Sequence, residues 1–257
     1  MTPEPKFVVF VDMLGFSALT EAHELDREVF AELQSPGAVD FLRASLESMK
    51  ANQLSERFIR FHLLLEKVSH QCRLAHECSV ITFSDCAFFA SDDEEPAISF
   101  STQVMQLALE DRIPVRIGVA YGEFLVVRIK ADFGLTSQDH AVQFLGTGVS
   151  RAHAAEHCGV KGLRILLHPS VAAKSSKRER WANPLHLPDD ERRNRAGVEN
   201  ELIYLWHSGH DDDYWTAIQD LRDSSATEQS QHYDATVRAV NRMRRALGRP
   251  EFIPRDR

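Results

Sequence analysis

Two aspartates stand alone in apolar surroundings. Asp12 lies inside Phe7–Leu14 (FVVFVDML), and Asp85 lies between the short apolar runs Ser79–Phe83 and Ala87–Ala90. A carboxylate inside an apolar strand is unfavourable unless something neutralises it. Two carboxylates side by side also repel, which forces one of them to hold its proton. Divalent cations answer both demands, and a pair held between shared carboxylates can clamp a reacting phosphate. Gly15 follows Asp12 where the strand gives way to a helical pattern that begins near Ser17. Free backbone N–H groups at such a junction can hold phosphate oxygens, and Gly15 has no side chain to obstruct them. Asp12 and Asp85 are therefore candidate metal ligands, and Leu14, Gly15, Phe16 and Ser17 form a candidate triphosphate cradle. A second reading of Asp12 stays open on these residues alone: a strand-end acid bonded to backbone.

The elements that must position these residues follow from periodicity. Phe7–Leu14 is apolar on both faces and reads as a buried central strand. Ser17–Leu33 reads as a helix broken by Gln34-Ser35-Pro36-Gly37. From Val39 to about His76 apolar residues recur at helical spacing in two pieces, a helical insertion over about 35–77. Ser79–Phe83 and Ala87–Ala90 read as a hairpin with Asp85 in or beside its turn. Asp92–Glu95 with Pro96 starts a helix that runs to about Glu110. Val115–Ala120 and Phe124–Ile129 read as another hairpin, around Tyr121-Gly122-Glu123. Gly146–His157 reads as a helix stopped at Gly159, and Leu163–Leu167 and Glu201–Trp206 read as the last strands. Lys174–Asn200, charged and with two prolines, reads as a loop with little core, and a polar break begins at His210. Tyr233–Leu247 is an amphipathic helix, packed on the domain or on a partner subunit. This order lacks a strict βαβα rhythm and predicts an α+β fold with a largely antiparallel sheet and helices on one face.

Bulk properties narrow the function classes. The 257 residues suffice for one good core with additions. A net charge of −8 argues against general nucleic-acid binding, which needs a basic surface. No apolar run approaches the ~20 residues that span a bilayer, and Met1–Lys6 lacks a signal-peptide core. The expectation is a cytoplasmic protein. Cys72, Cys78, Cys86 and Cys158 are too scattered for a disulfide scaffold. His70, Cys72, His76 and Cys78 match no common zinc spacing.

Five segments in order carry a family resemblance. Val11–Ser17 resembles the first metal-binding stretch of the class III nucleotidyl cyclases, the adenylate and guanylate cyclase superfamily. Thr82-Phe83-Ser84-Asp85 is similar to the second metal-binding hairpin, with Ser84 in place of a glycine. Val115–Gly122 (VRIGVAYG) is similar to the family's arginine–glycine strand, Phe144–Glu156 (FLGTGVSRAHAAE) to its glycine-led helix, and Gly159–Leu167 to the strand after it. The resemblance spans residues 7 to 206. It implies a ferredoxin-like βαββαβ core, here with the helical insertion and a C-terminal helix, in a catalytic domain over 1–209 and a helical extension over 210–257. It implies two divalent cations, Mn²⁺ or Mg²⁺, on Asp12 and Asp85, with the Met13 carbonyl as a further ligand. It also implies a head-to-tail homodimer whose sites lie between subunits, the partner supplying the helix of Ser150 and Arg151. The implied reaction converts a nucleoside triphosphate to a 3′,5′-cyclic nucleotide and pyrophosphate.

The departures from the family pattern are specific. Purine-selective members read the base with a lysine or glutamate four residues before the second metal aspartate, and Ile81 stands there. A second base-reading position falls on Gln143. The usual helix asparagine is Ser150, and the usual transition-state arginine falls on Ala154, with Arg151 one turn earlier as the candidate substitute. Arg195 reads either as a triphosphate contact or as part of a solvated loop. An intact metal half beside a remodelled base-reading half resembles the stand-alone bacterial pyrimidine cyclases of anti-phage defence (Pycsar type), whose product activates a separate effector. The expected reaction is UTP to cyclic UMP, with CTP or a purine triphosphate as alternative substrates. Two readings from other classes are a degenerate cyclase fold that senses a nucleotide, and a structural domain whose acids cap strand ends.

Overall fold

Strand β1 (Glu4–Met13) is buried on both faces from Phe7 to Val11, as a strand with neighbours on either side must be. The computed structural model describes residues 4–24, 26–27, 52–130, 140–175, 182–185, 196–204, 211–225 and 230–254. After β1 come α1 (Phe16–Ala22), α2 (Gln53–Ala75), β2 (Cys78–Thr82), β3 (Cys86–Ser91), α3 (Glu94–Glu110), β4 (Val115–Lys130) and β5 (His140–Leu145). Then follow α4 (Thr147–Glu156), β6 (Ile165–Leu167), α5 (Pro169–Lys174), β7 (Ala182–Pro184), β8 (Asn200–Leu202), α6 (Asp211–Asp223) and α7 (Ser230–Ala246). Among the described residues the sheet has eight strands in the order β2-β3-β1-β4-β6-β8-β7, with β5 paired to β4 off this path. Every pairing is antiparallel except β4 with β6. The α+β class with a largely antiparallel sheet is thus observed.

The two sheet faces are covered differently. Phe7, Val9, Val11 and Met13 point into the main core, which α2, α3, α6 and α7 close with residues such as Phe61, Leu65, Phe100, Met105, Ile218 and Val240. Val8 and Phe10 point the other way, into a smaller cluster with Phe88, Ala120, Phe124 and Ala152 of α4. Helices therefore lie on both faces, not one. Among the described residues no helix is long and apolar enough to cross a membrane.

Several expected elements change in the structure. Tyr121-Gly122-Glu123 is not a turn: β4 runs through it as one strand and stays paired to β1, with Tyr121 opposite Phe7 and Gly122 opposite Lys6. Gly122 serves close approach instead, since a Cβ there would lie 2.6 Å from the Gly148 backbone nitrogen of α4. The actual hairpin partner of the far half of β4 is β5, a stretch to which the sequence pattern assigns no element. Helix α1 ends at Ala22, where His23 turns extended, and the last part of the helix expected up to Leu33 lies outside the described residues. The stretch expected as a polar break holds α6, and the stretch expected as a loop holds β7 and the start of its sheet edge. Helix α2 covers the second part of the expected helical insertion and is capped by the Asn52 side chain, which accepts from the Ser55 N–H. The first part of the helical insertion and Arg195 lie outside the described residues.

Candidate active site

Antiparallel register places Asp12 directly between two strands, opposite Cys86 of β3 and opposite Arg116 of β4. Directly opposed residues share a sheet face, so Asp12, Cys86 and Arg116 all lie on the face of Phe10 and α4. Asp85 reaches the same place from the β2–β3 turn. Its carbonyl accepts the Met13 N–H at 2.9 Å, docking the turn onto the end of β1. The turn closes on itself through Phe83 N–H to the Cys86 carbonyl, 2.8 Å. Helix α2 pins it from outside, a His62 ring nitrogen lying 2.9 Å from the Ser84 carbonyl. Burial lowers the His62 pKa, which favours the neutral ring, donating through Nε2–H.

On the other side of Asp12, helix α4 lies almost in contact with β4. A Cβ at Gly118 would stand 2.1 Å from the Ala152 carbonyl oxygen and 2.7 Å from the Glu156 nitrogen. That glycine, two residues from Arg116, lets the last turn of α4 descend onto the strand. Glu156 is fully buried there. Its Oε1 accepts from Arg116 Nε at 2.6 Å and lies 2.5 Å from the second guanidinium nitrogen. The remaining Arg116 nitrogen donates to the Val160 carbonyl at 3.2 Å. His157 Nδ1 lies against the other Glu156 oxygen, and the His157 ring stacks on His153, centroids 4.1 Å apart.

These neighbours set the protonation of Asp12. Its pKa is pushed up to about 7, first by burial, then by Glu156 and Asp85, against the opposing pull of Arg116 and His157. Among the described residues, Asp12 makes no ion pair with Arg116 although the two are cross-strand neighbours. A half-buried carboxylate without a cation of its own and the second carboxylate beside it could serve as donors to a hard divalent ion, although no group of three or more His, Cys, Asp or Glu side chains is gathered among the described residues. Such ions take one or two carboxylates and complete their shells with backbone oxygens, phosphates and water.

The other expected site residues fall in several places. The Leu14 N–H is engaged by the Pro114 carbonyl at 2.8 Å. Gly15 adopts φ 78°, a left-handed conformation suited to glycine, and starts α1. Phe16 is buried against Phe58, whereas Ser17 is exposed. The first N–H groups of α1 have no intrahelical acceptors. Ile81 sits with Phe88, Phe144 and Val149 on the Asp12 face. Gln143 is exposed, and strand alternation puts it on the opposite side of the β4–β5 ribbon from Phe144. Ser150 and Arg151 are exposed on α4, and Arg151 donates to the Tyr121 carbonyl at 3.0 Å. Tyr121 stands five residues along β4 from Arg116, about 16 Å at strand rise.

Sequence reasoning missed Arg116, Glu156 and His62 as site residues. Two carried a signal. Arg116 breaks an apolar strand, and Glu156 is an acid in the last turn of a helix, where the macrodipole disfavours it; each therefore calls for a partner.

A bacterial light-regulated adenylyl cyclase matches with a TM-score of 0.50 at 15% identity, over 86% of this chain and 100% of that one. The fold is that of a nucleotidyl cyclase domain. The guanylate cyclase domain of Catenaria anguillulae, solved with GTP, matches 77% of this chain and 93% of its own at 14% identity and a TM-score of 0.49. No protein-family model matches the chain, and no curated protein matches it in sequence.

Proposed function

We propose that the protein is a metal-dependent nucleotidyl cyclase that converts UTP to 3′,5′-cyclic UMP and pyrophosphate. The observation that carries the cyclase reading is the convergence of Asp12 and Asp85. The β1–β3 register and the Met13-to-Asp85 backbone bond bring two carboxylates from distant sequence to one strand end. The ribose 3′-hydroxyl attacks the substrate's own α-phosphorus and gives its proton to solvent; the new P–O bond closes the ring, and pyrophosphate departs with the electron pair of the broken Pα–O bond. Bound on Asp12 and Asp85, Mn²⁺ or Mg²⁺ would lower the hydroxyl pKa and neutralise phosphate charge. The chain's own task is positioning: Asp12 and Asp85 hold the cations, and Arg116 adds fixed positive charge beside them.

Two finer readings rest on particular residues. Arg151 is bonded to the Tyr121 carbonyl, five residues along β4 from the Arg116 that faces Asp12, an arrangement compatible with its serving an Asp12 site of another copy of the chain. This supports a homodimer with composite sites. Ile81 offers the base neither donor nor acceptor and stands among apolar residues. A purine-reading position needs a hydrogen-bonding side chain there, since an unpaired buried polar group costs ~1–3 kcal/mol. This supports a pyrimidine, UTP ahead of CTP, and by family resemblance a cyclic-nucleotide messenger for a separate anti-phage effector.

The test is incubation of purified protein with equal concentrations of the four ribonucleoside triphosphates and Mn²⁺, with products identified by mass spectrometry. Cyclic UMP is the expected main product. Cyclic AMP or cyclic GMP as the main product refutes the pyrimidine reading and leaves the cyclase. Binding without turnover favours a nucleotide sensor, the reading that Ala154 at the usual arginine position supports. Asp12→Ala and Asp85→Ala should each abolish turnover with the fold retained by circular dichroism, and an active Asp85→Ala protein would sink the mechanism.

A further inference from the structure

Asp12 and Arg116 are opposite charges on directly opposed residues of one sheet face. At that spacing the two Cβ atoms are roughly 5 Å apart, within reach of a direct ion pair. The pair does not form. Each guanidinium nitrogen of Arg116 is turned elsewhere: Nε and one terminal nitrogen to Glu156 Oε1, the other terminal nitrogen to the Val160 carbonyl. Glu156 is fully buried and comes from α4, whose descent depends on the bare backbone at Gly118. A buried carboxylate is unfavourable without a partner, so Glu156 and Arg116 hold one another strongly.

We propose that Glu156 is a positioning residue that withholds Arg116 from Asp12, so that the Asp12 carboxylate remains available to a cation. The proposal rests on the reading of Asp12 and Asp85 as metal ligands. Arg116 is the internal cation that competes for the same oxygens. With Glu156 present its charge stays near the site but its hydrogen bonds are spent on α4 and Val160. With Glu156 removed, the guanidinium loses its carboxylate and its neighbouring acceptor is Asp12. An internal Asp12–Arg116 ion pair then occupies the ligand. Glu156 thus acts on the metal site through Arg116, without touching a metal itself.

The experiment measures Mn²⁺ alone, by calorimetric titration and by the Mn²⁺ electron paramagnetic resonance signal, on the wild type, Glu156→Ala, Glu156→Gln and the double variant Arg116→Ala/Glu156→Ala. Glu156→Ala should weaken Mn²⁺ binding about tenfold or more, the size of effect typical of a residue behind a ligand. Glu156→Gln keeps an acceptor oxygen without the charge and should fall between it and the wild type. The double variant is decisive, because it lacks both residues and should regain near wild-type affinity. Recovery also shows that loss in Glu156→Ala was not unfolding. Unchanged Mn²⁺ affinity in Glu156→Ala, or a double variant as weak as Glu156→Ala, overturns the proposal. A wild-type protein that binds no Mn²⁺ overturns the metal reading itself, and this proposal with it.

Discussion

Asp12 shows how one residue's environment becomes a measurable property. Burial, then Glu156 and Asp85, raise its pKa to about 7, whereas its ordinary value is 3.8. The folded metal-free protein therefore keeps a proton on Asp12 over a range where the unfolded chain has released it. The stability tied to that proton is fully present below pH 3.8 and is lost as pH rises through about 7. Asp12→Asn has no such titration. The stability advantage of Asp12→Asn over metal-free wild type should thus grow from about pH 4 to about pH 7 and then level off, as read from denaturant midpoints. Parallel curves would show that Asp12 is not perturbed as its surroundings require. Saturating Mn²⁺ should erase the advantage above pH 7, because the cation replaces the proton as the stabilising partner.

At the scale of elements, the site depends on how closely α4 lies on β4. Gly118 permits that approach, and its replacement by alanine sets a Cβ 2.1 Å from a backbone carbonyl, which cannot yield as a side chain would. Gly118→Ala should lower unfolding free energy by about 1–3 kcal/mol and reduce turnover more than an equally destabilising change in the main core. Equal loss of turnover in both would separate α4 placement from catalysis. A second joint ties β6 to the sheet edge. Arg164 and Glu201 are both buried and paired at 2.6 Å, with the Tyr204 hydroxyl donating to the Leu163 carbonyl alongside. Glu201→Ala leaves an uncompensated buried guanidinium and should cost about 3–5 kcal/mol in chemical denaturation. A loss below about 1 kcal/mol would mean that water reaches Arg164.

For the whole molecule, the C-terminal helices are part of the main core rather than an appendage. Tyr214, Ile218, Leu221, Val237, Val240 and Met243 pack with residues of β1, α2 and α3. The Thr236 hydroxyl accepts the Leu163 N–H at 2.8 Å, so α7 also supports the turn that carries Val160. The opposite sheet face is less covered: Phe83 is exposed beside Phe144. If two copies meet on this face, mixing inactive Asp12→Ala and Arg151→Ala proteins should restore partial turnover, since a mixed dimer holds one intact composite site. Mixtures that stay inactive, or an active monomer by light scattering, would show that each chain carries its whole site.

Local pattern in the sequence determined the central strand, the Asp85 turn and the α4 and α7 helices, and it marked Asp12 and Asp85 as acids in need of a partner. An acid inside an apolar run is costly wherever it folds, so the amino-acid order alone marks it out. Short elements escape this kind of reading, because a three-residue strand such as β7 has too little periodicity to stand out from a loop. Gly122 escapes it for a related reason: a glycine signals either a turn or a close neighbour, and α4 decides which. The partnership of Arg116 with Glu156 rather than Asp12 belonged to tertiary structure alone. It joins residues 40 positions apart and depends on the depth to which one helix settles on one strand, a distance that no pattern along the chain encodes.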